Sequence, residues 1–436
     1  MRFVTRLFGR LLRWGLILAL IAVVALPLLL LGAAVQRNPL VGPQAALSPS
    51  QAAESHAFAK RLREASRGTE GVQTVSATAA ELDGLMATGA RLWPGLRGET
   101  RIDPERLVMA MSAPMPVGGF WANFALAVGP SEGPLAVQVV RVGRVALPPV
   151  QAVAATRWTL DALTTADLGT LLMDAVQAVR LAPGEVTARI DGGGLGEASL
   201  FSRLVDGARG LLGLEAGERA AEHYRAMADA AARGELPSRG SVAPWLRFAV
   251  QRVAEAGHES GRALRQDLRA AVLAAAAHCG DASVVGTVAG DIGASGRSAC
   301  GGTTLRGRAD LRKHFMLSAA FAATGGSSVS WGLGEMKELV DAGRERGSGF
   351  SFDDVALDRA GIAFAERLRT ASLGEARSLA ARIEEEAAIA PAIDGLPSFM
   401  PASEFAARFG DVEDPRYHAM LAEIDARIAA LPFLAP

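Results

Sequence analysis

The sequence predicts an α+β protein with an N-terminal transmembrane helix, an antiparallel β-meander packed with helices, and a mostly α-helical remainder. An uncharged apolar run near the N-terminus is long enough to cross a bilayer. Short alternating segments separated by Gly- and Pro-containing turns then indicate antiparallel strands, and beyond them the apolar residues recur with helical period. The predicted divisions are 1–36 (transmembrane anchor), 37–70 (tether and helix), 71–192 (α+β module) and 197–436 (α-helical domain).

The composition limits the classes of protein to which this chain can belong. The chain has 436 residues, of which 50% are hydrophobic and 21% charged, so it can bury a sizeable core. Its formal net charge is −1. Proteins that bind nucleic acid normally carry a strongly basic surface, so we expect no nucleic-acid partner.

The apolar run from Trp14 to Val35 is the predicted membrane anchor. Arginines precede it at positions 2, 6, 10 and 13, whereas only Arg37 follows closely. The positive-inside rule therefore predicts a single-pass inner-membrane protein, with a cytoplasmic N-terminus and the bulk of the chain in the periplasm. The alternative is a signal peptide cleaved after Gly32-Ala33-Ala34, which exports the same residues.

The two cysteines fit an oxidising compartment. Cys279 and Cys300 flank a loop rich in Gly, Ser and Asp. In the periplasm a disulfide between them is the expected state. A metal site that uses both cysteines and His278 is the alternative, although the chain has no C-x-x-C pair.

The α+β module is predicted from strand-like segments and their turns. The predicted elements are a short strand at Thr74–Ser76, a helix from Ala79, strands at Glu99–Ile102, Arg106–Ser112, Phe120–Val128 and Leu135–Leu147, helix over Val150–Val179 with a break near Thr164-Thr165, and a last strand at Glu185–Ile190. We expect one meander with helices against one face. This order of elements resembles membrane-tethered bacterial modules that shelter lipid between a curved sheet and a helix.

The remainder is predicted to be helical. Outside the stretch treated next, the predicted helices are Ala198–Leu212, Gly217–Arg233, Ala243–His278, Leu373–Ile389, Glu404–Phe409 and Arg416–Leu431. The histidines at 223, 258 and 418 lie among Arg and Glu on these segments, so we expect them to be exposed.

Three further helices follow Thr304. Asp310 is the predicted N-cap of the first, which extends to about residue 323, and Gly325-Gly326 ends it. Ser327 or Ser328 is expected to cap the second, which reaches about residue 342. The sequence Ser351-Phe-Asp-Asp354 has the form of a capping box and begins the third.

The polar residues that could form a site concentrate on these three helices. The candidates are His314, Glu335, Glu338, Asp341, Asp354 and Asp358. We favour a buried hydrogen-bond network without a cofactor, because capping would account for Asp310 and Asp354. The alternative is a divalent metal held by His314, Glu338, Asp354 and Asp358, since imidazole and carboxylate suit such ions. The sequence has no H-E-x-x-H motif.

The same stretch carries a family resemblance. The motifs are K-H-F at 313–315, Gly334-x-x-Lys-Glu-x-x-Asp341, and G-F-S-F-D-D with Asp358 and Gly361. They resemble small bacterial envelope lipoproteins that open with D-K-x-x-H-F. Residues 260–430 also resemble uncharacterised membrane-anchored proteins of proteobacteria. The resemblance implies an envelope location and architecture, and it brings no established activity.

The sequence leaves three classes of function. It contains no G-x-S-x-G, no nucleotide fingerprint and no cysteine with a matched histidine. We therefore expect a membrane-anchored periplasmic protein that acts as an envelope scaffold or lipid-handling binding protein, with the inner membrane and lipid or another envelope protein as partners. The alternative is a metal-dependent periplasmic hydrolase that uses His314 and the nearby carboxylates. An inert adaptor of a membrane complex is the third class.

Overall fold

The computed structural model describes residues 35–44, 47–65, 71–115, 118–163, 168–191, 217–289, 298–344 and 347–435. Within them the predicted α+β class is confirmed, with antiparallel sheets followed by a helical C-terminal part. The predicted anchor lies outside the described residues except for its end, where Val35–Gln36 forms a short strand, β1. The predicted helix Ala198–Leu212 also lies outside them.

Two sheets replace the single predicted meander. The larger contains β3 (Arg97–Asp103), β4 (Arg106–Pro114), β5 (Trp121–Gly129), β6 (Ala136–Val142) and β7 (Val145–Leu147) in that order, with β1 paired to β5. The smaller has the order β2 (Val72–Thr78), β9 (Glu185–Asp191), β8 (Val176–Ala182).

Two boundaries in this module were predicted wrongly. The helix expected over Val150–Val179 ends earlier, because the chain from Val176 pairs antiparallel with β9 and satisfies its backbone there. The single strand expected over Leu135–Leu147 is the hairpin β6–β7. Gly143 makes its turn with a φ of 59°, a conformation that glycine adopts without steric cost.

Four helices accompany the sheets. They are α1 (Pro49–Ala65), α2 (Ala79–Leu92), α3 (Pro149–Leu163) and α4 (Leu168–Ala175). A capping box starts α2, since the Thr78 hydroxyl accepts from the Glu81 N–H while the Glu81 carboxylate accepts from the Thr78 N–H. Phe58 of α1 packs with Val75 and Ile102 in a small core between helix and sheet.

The helical part contains ten helices in the described residues. They are α5 (Gly217–Ala232), α6 (Ala243–Ala256), α7 (Gly261–Ala276), α8 (Ala282–Ala289), α9 (Ala309–Gly325), α10 (Ser327–Gly343), α11 (Phe352–Arg369), α12 (Ala376–Arg382), α13 (Ala402–Phe409) and α14 (Pro415–Ala429). Strands β10 (Arg239–Ser241) and β11 (Gly302–Thr304) form a short parallel pair.

Two predicted helices are interrupted. The helix expected over Ala243–His278 divides into α6 and α7 at Gly257, whose φ is 72°, and Ser260 caps the second part. The helix expected over Leu373–Ile389 is reduced to α12 and a 3₁₀ turn at Glu386–Ala388. Both errors came from helical periodicity that continued across a break.

The cysteines form a disulfide, consistent with the prediction. Cys279 lies in a π-helical turn after α7, and Cys300 lies in a 3₁₀ turn before β11. Both cysteines are fully buried in the core of the helical part. The crosslink therefore holds β11, and through it the start of α9, against the end of α7.

One helical stretch in the described residues, Gly261–Gly286, has the length and apolar character of a membrane span. Sixty-seven per cent of its apolar window is buried inside the protein. The core helix of a soluble domain has the same length and apolar character, so this stretch alone does not indicate a membrane span.

Close packing of α9 on α11 positions the polar residues. A Cβ atom added at Gly361 of α11 would lie 2.2 Å from the Phe315 carbonyl oxygen of α9, so only glycine allows the two backbones this approach. Helix α10 contacts α9 and α11 on one side and α1 and α2 on the other. It therefore connects the helical part to the segment that follows the predicted anchor.

Candidate functional site

His314 of α9 lies at the centre of a buried polar cluster between three helices. Its Nδ1 is 3.1 Å from Oδ1 and 3.2 Å from Oδ2 of Asp358 on α11. Its Nε2 is 3.2 Å from Oδ2 of Asp354, also on α11, and 4.0 Å from Oε1 of Glu338 on α10. The His314 side chain is 9% exposed and the Glu338 side chain is fully buried. The structure therefore brings together four of the candidates that the sequence had placed in one group.

Asp358 is fixed by neighbours on two helices. The Ser318 hydroxyl donates to Oδ1 of Asp358 at 2.7 Å, and the Ser330 hydroxyl donates to the Ser318 carbonyl at 2.8 Å. Gly334 leaves room for the carboxylate, because a Cβ there would lie 2.8 Å from Asp358 Oδ2. The carboxylate is therefore held against one nitrogen of the imidazole.

Glu338 has partners on both oxygens. The Ser351 backbone N–H donates to Oε2 at 3.1 Å, and Lys337 Nζ donates to Oε1 at 2.8 Å. Lys337 Nζ also donates to Oδ2 of Asp341 at 2.8 Å. Asp341 thus lies at the rim, where it contacts the lysine, and it is not among the side chains that meet His314.

Arg308, which precedes α9, completes the other rim of the cluster. It forms ion pairs with Asp310 and Asp353, and its Nη2 is 3.4 Å from Oδ1 of Asp354. Neither Arg308 nor Asp353 was predicted from the sequence. The available signal was the R-x-D spacing of Arg308 and Asp310 just before a helix, which places opposite charges close together.

Two of the three predicted N-cap residues were wrong, and the third makes no capping bond. The N-cap residue of α9 is Arg308, and Asp310 lies in the first turn, paired with that arginine. Ser351 is the N-cap residue of α11, as predicted, but its hydroxyl accepts from the Phe399 N–H and makes no capping bond, while Asp354 faces His314. Gly326, and neither serine that follows it, is the N-cap of α10. Capping therefore does not explain why Asp354 is there.

The electrostatics follow from burial and charge. Burial lowers the pKa of His314, but the charge of Asp358 and the contacts with Asp354 outweigh it and raise the pKa to about 11. Burial and the charge of Asp354 raise the pKa of Glu338 to about 8, although Lys337 and His314 act in the opposite direction. Without a further cation, the His314 imidazole and the Glu338 carboxyl therefore both tend to keep their protons near neutral pH.

Glu335, the sixth candidate, belongs to a different site. Its Oε1 accepts from the Tyr417 hydroxyl at 2.7 Å, and its Oε2 is 3.4 Å from Nε of Arg91 on α2. Its side chain is 2% exposed, and burial raises the pKa of the carboxyl. This residue connects α10 to α14 and to the α+β module.

Two other histidines differ from expectation. His223 is buried, and its Nε2 is 2.9 Å from Oδ1 of Asp267. Nε2 of His258, whose side chain is 10% exposed, is 3.0 Å from Oδ2 of the same carboxylate. His418 is exposed, as predicted. Asp267 thus links α5, α7 and the α6–α7 loop, a contact that no sequence periodicity indicated.

Comparison with known proteins adds no family to this description, because no family model, curated protein or solved structure matches the chain.

Proposed function

We propose that this protein is a single-pass, membrane-anchored component of the bacterial envelope that acts as a scaffold or lipid-handling binding protein. The observation that carries the proposal is the contact of α1 and α2 with α10. Helix α1 follows the predicted anchor by a short tether, and α10 carries Glu338 of the buried cluster. The arrangement supports a role in which the tether holds the helical part close to the membrane.

The contact between α1 and α10 is close. A Cβ at Gly343 of α10 would lie 2.1 Å from the Pro49 carbonyl oxygen, so the first turn of α1 packs directly against the α10 backbone. Nη2 of Arg344 also lies 2.7 Å from Nδ1 of His56. On α2, Arg91 pairs with Glu335 and with Glu413.

Exposed apolar residues support a lipid or apolar partner for the N-terminal part. Six of the eight large hydrophobic side chains most exposed in the described residues precede residue 192: Leu40, Val72, Trp93, Phe120, Val139 and Val150. A cleft of about 380 Å³ also lies where α2 meets α10, lined by Leu47, Leu96 and Trp331 among others. Where such residues form a continuous exposed patch, they mark a protein or membrane contact site.

The disulfide supports an exported location. Structural disulfides persist in the periplasm and are rare in the cytosol. A C-terminal alkaline phosphatase fusion should therefore be active. A C-terminal fluorescent-protein fusion that is exported through the general secretion pathway should not fluoresce. The reverse pattern would overturn the proposed topology.

The scaffold role has its own test. Gly343→Ala should separate α1 from α10, so backbone amides of α1 should exchange with deuterium at least about tenfold faster. Gly286→Ala is the matched control, because a Cβ there has no atom of the described residues within 4 Å. Unchanged exchange in α1 of the Gly343 variant would count against a docked tether.

A metal-dependent hydrolase is the second candidate. One donor atom each from His314, Glu338 and Asp354 lies within 4.8 Å of the other two, a spacing that favours it. Catalytic metal sites keep a position open to water and substrate. Here the three side chains are 9%, 0% and 6% exposed, so burial favours a structural role.

A further inference from the structure

We propose that His314, Glu338 and Asp354 bind a divalent transition-metal ion, zinc or manganese, which clamps α9, α10 and α11 together. The inference is independent of the scaffold function and of the membrane location. It concerns a ligand for the cluster and a structural role for that ligand.

The donor geometry is the first argument. Nε2 of His314 faces both carboxylates, at 3.2 Å from Asp354 Oδ2 and 4.0 Å from Glu338 Oε1. Ligands of one tetrahedral metal at about 2.0–2.2 Å are separated by similar distances. A nitrogen with two carboxylates suits Zn²⁺ or Mn²⁺ better than Mg²⁺, which prefers oxygen ligands alone.

The contact on the opposite side of the imidazole is the second argument. Asp358 lies 3.1 Å from Nδ1 and is itself held by the Ser318 hydroxyl. Histidines that bind metals through one nitrogen almost always donate from the other to a carboxylate or carbonyl, which fixes the tautomer and the ring orientation. Asp358 is therefore a positioning residue, and the ring is already oriented with Nε2 toward the other two ligands.

The charge balance is the third argument. Four buried carboxylates lie in the cluster or at its rim: Glu338, Asp353, Asp354 and Asp358. The cations that contact them in the described part of the chain are His314, Lys337 and Arg308. Lys337 also forms an ion pair with Asp341, and Arg308 with Asp310. When all seven groups are ionised, these four carboxylates exceed the three cations by one negative charge. Buried charges require a partner, and a metal dication supplies one.

Lys337 is the cation that competes for the site. Its ammonium contacts the same Glu338 oxygen that faces His314, yet its side chain is 48% exposed. The ammonium also contacts Asp341. When a metal binds, the Lys337 ammonium can remain paired with Asp341 and lose its contact with Glu338. The metal and the lysine therefore compete for Oε1 of Glu338.

The experiment measures metal binding and thermal stability of the metal-stripped full chain, purified in mild detergent. Added Zn²⁺ or Mn²⁺ at about 100 times its Kd should raise the melting temperature by about 5–10 °C, with one ion bound. Mg²⁺ at the same concentration should give less than about 1 °C. His314→Ala and Glu338→Gln should lose the rise, whereas the exposed-site control His418→Ala should keep it.

Lys337→Gln separates the metal site from a network of salt bridges alone. It removes the competing cation, so it should bind Zn²⁺ at least about tenfold more tightly than the native chain does. Glu338→Gln keeps the experiment informative if His314→Ala does not fold. Any one of three results would overturn the proposal. These are an unchanged melting temperature of the native chain with both metals, a rise in both cluster variants equal to that of the native chain, or weaker Zn²⁺ binding by Lys337→Gln than by the native chain.

Discussion

At the scale of the residue, Asp358 shows how one carboxylate sets the chemistry of another side chain. It contacts Nδ1 of His314 and accepts from Ser318, so the imidazole presents its other nitrogen to Asp354 and Glu338. Sequence spacing predicted that Asp354 and Asp358 share a helical face. It could not predict which carboxylate would meet which nitrogen, because that depends on the depth at which α9 packs on α11.

Asp358→Asn tests this positioning role. The amide oxygen can still accept from Nδ1 and from Ser318, but the negative charge is lost. Zinc affinity should fall about 10–100-fold with one ion still bound. Titration calorimetry of both chains measures it, and Asp174→Asn, in a surface ion pair with Arg157 of the α+β module, is the control. An unchanged Kd would show that Asp358 does not tune the imidazole.

Glu335 predicts a pH dependence of stability at a different site. Burial raises the pKa of its carboxyl above the value of 4.5 for an exposed group. The folded state therefore binds this proton more tightly than the unfolded state does. The corresponding stability is fully present below about pH 4.5 and is lost as the pH rises through the folded-state pKa.

Glu335→Gln removes that titration while an amide oxygen still accepts from Tyr417. The free energy of unfolding of the variant, relative to the native chain, should therefore increase as the pH rises from 4 to 8. Urea denaturation at a series of pH values measures the difference. Glu404→Gln on the surface of α13 is the control, and a difference for Glu335→Gln that stays constant across the range would contradict the account.

At the scale of the element, the bounds of α9, α10 and α11 were predicted nearly correctly, whereas their caps were not. Glycine and serine punctuate the chain at 325–328 and 349–351, and these breaks are local properties of the sequence. At α11 the predicted capping bonds do not form, because long-range partners take the side chains: the Ser351 hydroxyl accepts from the Phe399 N–H, and Asp354 contacts His314. A local motif cannot reveal such competition.

Gly361→Ala tests the close approach of α9 and α11. The new methyl group would lie 2.2 Å from the Phe315 carbonyl oxygen, which is backbone and cannot move aside alone. We expect a loss of about 1–3 kcal/mol in the free energy of unfolding, despite the better helix propensity of alanine.

Gly286→Ala in α8 is the matched control, because a Cβ there has nothing within 4 Å. It should be neutral or should stabilise the protein by up to about 1 kcal/mol. Chemical denaturation of both variants measures the difference. Equal effects of the two substitutions would show that α9 and α11 are not in close backbone contact.

At the scale of the whole molecule, most strands and helices of the α+β module could be predicted in order, whereas β8 and the partition into two sheets could not. Turn residues such as Asp103-Pro104-Glu105 mark a hairpin locally, and β3 and β4 form it. The pairing of β2 with β9 joins residues more than a hundred positions apart, so no local signal specifies it. Contacts of α1 and α2 with α10 are equally remote in sequence.

The disulfide provides a prediction at this scale. Cys279→Ala with Cys300→Ala should lower the free energy of unfolding by about 3 kcal/mol, the loop-closure entropy for a separation of 21 residues. Differential scanning calorimetry of the double variant beside the native chain measures it. A loss below about 0.5 kcal/mol would mean that the crosslink contributes little to the fold.

The metal ion proposed between α9, α10 and α11, bound by His314, Glu338 and Asp354, can be tested directly. The most direct measurement is anomalous X-ray diffraction at the zinc edge from crystals of the full chain grown with Zn²⁺. We expect one strong anomalous peak about 2.0–2.2 Å from His314 Nε2, with oxygens of Glu338 and Asp354 as further ligands. Crystals that show no peak there, with Lys337 still bonded to Glu338, would contradict it.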